Sequence, residues 1–165
     1  MMLADTRVMF LGFSYGSSMN EHESSVVRST TAEESIRQTL ARYCMFCDDG
    51  RFEEWGLLFT LGTQLHVMGT THSGRDRVQA FIEAGQPPEL RGKHVVINPL
   101  ILVSEDASSA QCWSDFLFVN RKGVITTTGR YHDELSLEPD GVWRFAIREI
   151  VFTGEEPQLL PEPSA

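Results

Sequence analysis

Apolar residues recur at Ile36, Leu40, Tyr43 and Cys47, spaced i, i+4, i+7 and i+11. That is the stripe of an amphipathic helix with one face in a core. Thr31-Ala32-Glu33-Glu34 places a hydroxyl at the N-cap and a carboxylate three residues on, which is a capping box, and Gly50 breaks the pattern. The spacing predicts a helix from about Thr31 to Asp48. Phe52, Trp55 and Phe59 then fall at i, i+3 and i+7, predicting a short second helix with an aromatic face. Thr63 to Gly69 alternates as a strand, with Gln64, His66 and Met68 on one face. Ser73-Gly74-Arg75-Asp76 opens a third helix that turns Val78, Phe81 and Ile82 inward and stops at Gly85. Gln86-Pro87-Pro88 forbids helix and marks a connection.

Beyond that connection every patterned segment is a strand. Lys93 to Val103 is β-branched, and Ala110 to Asn120 alternates up to an Arg121-Lys122-Gly123 turn. Val124 to Leu137 leads to a Pro139-Asp140-Gly141 turn and then Trp143 to Thr153. Long strands joined by tight turns make an antiparallel meander. Helices first and a sheet after is the α+β order. A twisted sheet wrapped over a long helix leaves a cone with an open mouth. Residues 1–30 have no sustained period and read as a flexible arm, residues 31–154 as the folded domain, and residues 155–165, rich in proline, as a tail. Met19 opens a polar run and is a second candidate start of translation.

Composition narrows the partners. A net charge of -9 with scattered basic residues excludes a nucleic-acid partner. No apolar run reaches the length of a membrane span. Three cysteines, Cys44, Cys47 and Cys112, are an odd set without a disulfide framework, pointing to a reducing, cytoplasmic setting. Cys44 and Cys47 form a C-x-x-C at the end of a helix. Redox pairs occupy the N-terminal end, where the dipole favours thiolate, so this pair reads as core packing. With no paired His or Cys ligand set, neither metal nor cofactor is expected.

The candidate chemistry begins where the first helix stops. Asp48 falls on the flank of its apolar face. It has two readings: a carboxylate carried into the interior, or, with Asp49, a cap on the next helix. Alternation puts His94, Val96 and Asn98 on one face of their strand. Asn98 either binds ligand or satisfies backbone at the Pro99 break. His66, His72 and His132 show no ligand spacing and read as surface residues. Trp55, Phe59, Trp113 and Phe116 are core residues of which one or two line a pocket.

Four stretches carry a resemblance over Thr31 to Thr153. They are Arg42-Tyr43 with Asp48 five residues beyond the tyrosine, Phe52 to Thr60, His94-Val95-Val96-Ile97-Asn98-Pro99, and Gly129-Arg130-Tyr131-His132-Asp133-Glu134-Leu135 followed by Gly141-Val142-Trp143-Arg144-Phe145. Together they resemble the NTF2-like superfamily and, within it, the SnoaL-like polyketide cyclase and dehydratase group, relatives of scytalone dehydratase and ketosteroid isomerase. The resemblance implies a cystatin-like cone of three helices on a strongly curved antiparallel sheet. It also implies a homodimer through the outer sheet face, near Trp143, Phe145 and Ile147. It implies an Asp48–His94 pair facing each other in the cone, helped by Tyr43, with Trp55, Phe59, Asn98, Trp113, Phe116 and Tyr131 around a small hydrophobic ligand. The second catalytic histidine of scytalone dehydratase has no counterpart, since Ala110 to Asn120 offers Trp113, Ser114 and Asp115.

Two functions fit. One is a cofactor-free acid–base enzyme, a dehydratase, isomerase or cyclase acting on a ring-bearing carbonyl compound. The other is a non-catalytic binding or assembly subunit, like the small subunit of a ring-hydroxylating dioxygenase. They separate on whether Asp48 and His94 share one enclosed cavity.

Overall fold

A computed structural model describes residues 21–160, 162 and 163, with side chains from Thr30 onward. Most of the expected N-terminal arm, and Met19, lie outside the described residues. The elements run α1 (Glu21–Asp49), α2 (Phe52–Gly56), β1 (Phe59–Val67), β2 (Thr70–Ser73), α3 (Arg75–Gly85), β3 (Lys93–Val103), β4 (Ser109–Val119), β5 (Ile125–Leu137) and β6 (Trp143–Phe152). One curved, unclosed sheet in the order β2-β1-β6-β5-β4-β3 packs against the helices. Its meander β3-β4-β5-β6 is antiparallel, while β1 joins β6 in parallel.

The stripe of α1 behaves as its spacing requires: Ile36, Leu40, Tyr43 and Cys47 are all buried against the sheet. Thr39 joins them by donating to the Trp143 carbonyl at 3.1 Å. Two boundaries differ from the sequence reading. The helix starts at Glu21 and runs through Thr31, so the capping box is interior. Phe59 begins β1 instead of ending α2: three aromatics in eight residues fit either period, and pairing with Phe145 of β6 decides for strand.

The end of α1 is a Schellman motif. Arg51 N–H donates to the Phe46 carbonyl at 2.8 Å and Gly50 N–H to the Cys47 carbonyl at 3.1 Å, with Gly50 in the left-handed region at φ 72°. A Cβ at Gly50 would also lie 2.2 Å from Arg91 Nη1. The motif fixes Asp48 in the last turn, where the sheet crosses it.

The two faces of β6 change places at a bulge between the Glu134–Ile147 and Leu135–Phe145 pairs. Trp143 and Phe145 are therefore buried on the helix side, correcting their placement on the outer face. Ile147, Glu149 and Val151 alternate onto the outer face, and Arg148 and Ile150 point inward. The outer face is partly covered by the C-terminal segment. Glu149 accepts from the backbone N–H groups of Gln158, Leu159 and Leu160 at 2.6–3.0 Å. His132 Nδ1 bonds the Leu160 carbonyl. His66 bonds Thr71 at 2.9 Å and Gln158 at 3.1 Å. His66 and His132 are thus buried residues, not surface ones.

Candidate active site

The concave face of the sheet, the end of α1, and α3 with its following loop line a half-open cavity of about 630 Å³, inside the usual range for small-molecule sites. His94 borders it and bonds Asp48, which does not itself line the cavity. His94 Nδ1 lies 2.6 Å from Asp48 Oδ1, and the His94 backbone N–H donates to both carboxylate oxygens at 3.1 and 3.2 Å. Lys93 Nζ stands 3.8 Å from Asp48 and 3.5 Å from Asp49. The Asp48 side chain is 3% exposed and that of His94 11%.

Asp48 is therefore the interior carboxylate and not a cap, because α2 has no side-chain cap. A carboxylate in the last turn of a helix faces the negative end of the dipole, and the three donors from β3 and Lys93 offset that cost. Accepting from Nδ1–H fixes the neutral tautomer of His94 with the Nε2 lone pair free. Nε2 has no hydrogen-bond partner among the described residues, and the ring borders the cavity.

Tyr43 and Tyr131 form the inner wall, with ring centroids 5.9 Å apart. Burial pushes both phenols well above their ordinary range, partly countered by Arg148, so both are hydroxyl donors at neutral pH. The Arg148 guanidinium lies 4.0 Å from the Tyr43 ring centroid and 4.2 Å from that of Tyr131. It makes two 2.7 Å bonds to Asp133, and its Nη1 has no hydrogen-bond partner among the described residues. Burial works against the Arg148 charge, but Asp133 outweighs it and holds the guanidinium above its usual value.

The other expected residues divide. Phe116 lines the cavity, stacked on Tyr131 at 4.4 Å. Trp55 and Phe59 pack behind Tyr43, at 5.2 and 6.2 Å, and belong to the core. Trp113 pairs across the sheet with His132 on the outer face, so strand alternation points it away from the cavity. Asn98 is exposed at a bulge in β3 with φ 53°; the bulge breaks the alternation that tied it to His94, and it does not border the cavity. Missed by sequence reasoning were Phe118, 4.8 Å from the His94 ring, and Phe152, both wall residues. The alternation Phe116, Phe118 was the available signal for the first. No trio of His, Cys, Asp or Glu converges as a metal cluster among the described residues.

The SnoaL-like domain family matches residues 28–149. The chain belongs to the SnoaL-like family. None of the curated proteins matches it. Solved structures do. A variant of Rv3472 from Mycobacterium tuberculosis, of unknown function, is 24% identical with a TM-score of 0.70, over 85% of this chain and 81% of that one. A candidate scytalone dehydratase from Novosphingobium aromaticivorans is 24% identical with a TM-score of 0.67, over 85% and 99%. The beta subunit of a candidate aromatic-ring-hydroxylating dioxygenase from the same organism is 20% identical with a TM-score of 0.62, over 82% and 99%. At these identities the likeness is one of fold, and the SnoaL-like fold here hosts both catalysts and subunits.

Proposed function

We propose that the protein is a cofactor-free acid–base enzyme of the dehydratase, isomerase or cyclase type, acting on a small hydrophobic ring-bearing carbonyl compound. The observation that carries this reading is the 2.6 Å Asp48–His94 contact at the wall of an apolar cavity. His94 Nε2 takes the proton from the carbon next to the carbonyl. The C–H electron pair moves into an enolate whose oxygen accepts a hydrogen bond from Tyr43, with the Arg148 charge behind the ring. Asp48 orients the imidazole and stabilises the imidazolium. In a dehydration the enolate collapses to a double bond, and the departing hydroxyl takes the proton from His94 and leaves as water. In an isomerisation the same proton returns to a different carbon.

The non-catalytic subunit reading has the likeness to the dioxygenase beta subunit on its side. It gives no role to a carboxylate-bonded imidazole that borders an apolar cavity. The test is turnover of a panel of steroid-like and aromatic polyketide-like ketones. Asp48→Asn and His94→Ala should each keep ligand affinity and lose about a hundredfold or more in rate. The double variant should be little worse, because the pair acts as a unit. Full activity in His94→Ala would overturn the proposal.

A further inference from the structure

The cavity wall is apolar, but one part of its border is cationic. Arg91, Arg121 and Lys122 stand there against a single carboxylate, Glu89, on a chain whose net charge is -9. Arg37, Arg51, Lys93, Arg130, Arg144 and Arg148 are each in an ion pair. The three cations at the cavity have no such partner among the described residues.

Their positions are built into the fold. Arg121 and Lys122 occupy the β4–β5 turn. It is held by the Asn120 side chain, which accepts from Lys122 N–H at 2.9 Å and Val124 N–H at 3.1 Å. Arg91 is anchored by donating to the Gln86 carbonyl at 3.0 Å, and its guanidinium stands over the Phe52 ring. Gly92 lets the two segments close on each other: a Cβ there would lie 2.2 Å from the Val119 carbonyl oxygen. His94 pairs with Phe118, so Arg121 lies three residues beyond its partner and Arg91 three residues before it. Because the two strands are antiparallel, both lie at the same end of the pair, at strand rise roughly 10 Å from the dyad.

We infer that the substrate is an aromatic carbonyl compound carrying an anionic group, which docks on Arg91, Arg121 and Lys122 while its ring fills the apolar space beside His94. This rests on the cavity being the substrate site, as proposed above, and adds the charge of the substrate. Two forked guanidinium groups suit carboxylate or phosphate alike. An anchor at one end and the base at the other sets which carbon of the ring system faces Nε2.

The test needs no turnover. Naphthalene-2-carboxylate, 2-naphthyl phosphate and the neutral methyl naphthalene-2-carboxylate are titrated into the full chain by calorimetry. An anion should bind about tenfold or more tighter than the ester, an advantage that shrinks as salt rises. The tighter anion names the group. Arg121→Gln with Lys122→Gln alters only exposed turn residues and should remove most of that advantage while leaving ester binding within about twofold. Adding Arg91→Gln should remove the rest. Equal binding of ester and anions, or an anion preference untouched by the turn variants, overturns the anchor and leaves the acid–base site standing. Binding of no probe overturns the aromatic-ligand cavity and the anchor together. A loss of turnover in His94→Ala bears on the dyad alone.

Discussion

Replacing Arg148 by Met tests what holds the inner wall of the cavity. Arg148 and Asp133 have wholly buried side chains and share two 2.7 Å bonds. Met has similar length and packs against the Tyr43, Tyr131 and Phe145 rings that now stack on the guanidinium at 4.0–4.2 Å. The loss is therefore mainly electrostatic. Asp133 has no other ion-pair partner among the described residues, so it is left as an unpaired buried carboxylate, which costs about 3–5 kcal/mol. For a domain of this size each kcal/mol lowers the thermal midpoint by roughly 2–4 °C, so a fall of about 10 °C is expected by calorimetry at pH 8. The pH dependence has a definite sign. Burial already pushes the Asp133 carboxyl up, with Arg148 opposing; without Arg148 it rises further. A raised folded-state value stabilises below the unfolded value, near 4, and that stability is lost as pH climbs through the folded value. The penalty of Arg148→Met should therefore shrink at pH 5. Adding Asp133→Leu should recover most of it, because a buried pair replaced whole by apolar residues is close to neutral. A penalty below about 1 kcal/mol, or a double variant no better than the single, would refute this reasoning.

Other outcomes follow from the same structure. Burial pushes the Cys44 thiol up to about 11 and those of Cys47 and Cys112 up to about 12; iodoacetamide at pH 8 should label none of them until denaturant is added, and rapid labelling of the native protein would count against the packing. Ending the chain at Thr153 strips Glu149 of its three backbone donors and exposes His132 and Leu160's seat; the midpoint should drop by several degrees, at about 1 kcal/mol or more per lost charge-assisted bond, and an unchanged midpoint would mean that the segment contributes nothing. A second copy is expected on the outer face of β3, where Val95, Ile97, Leu100 and Leu102 are 38–50% exposed; light scattering should give a dimer mass at micromolar concentration, and a monomer mass rejects it.

How much of this was legible in sequence depends on the kind of order involved. Local periodicity revealed the core face of α1 and the four strands of the meander, because each is a repeat of 3.6 or 2 residues that burial enforces. Each half of the dyad had a local placement, Asp48 at the flank of one stripe and His94 on an alternating strand, but their pairing came only from the family resemblance, since periodicity left Asp48 open between an interior carboxylate and a cap. What failed was non-local. Bulges at Asn98 and at Ala146 shift the alternation, so Asn98 left the cavity and Trp143 and Phe145 entered the core. The Arg148–Asp133 pair depends on a register between β5 and β6 that no single segment encodes. The α1 start was misread because Thr31-Ala32-Glu33-Glu34 has cap chemistry, and the polar residues before it show no apolar stripe.

The claim at the centre is that His94, oriented by Asp48, moves a proton to and from carbon. Exchange of the acidic C–H protons of 2-tetralone in D₂O, followed by NMR, measures that step without requiring the natural substrate. Exchange should exceed that with His94→Ala by about a hundredfold and fall comparably with Asp48→Asn. Equal exchange with all three proteins, under conditions where calorimetry shows the ketone bound in the cavity, would contradict it.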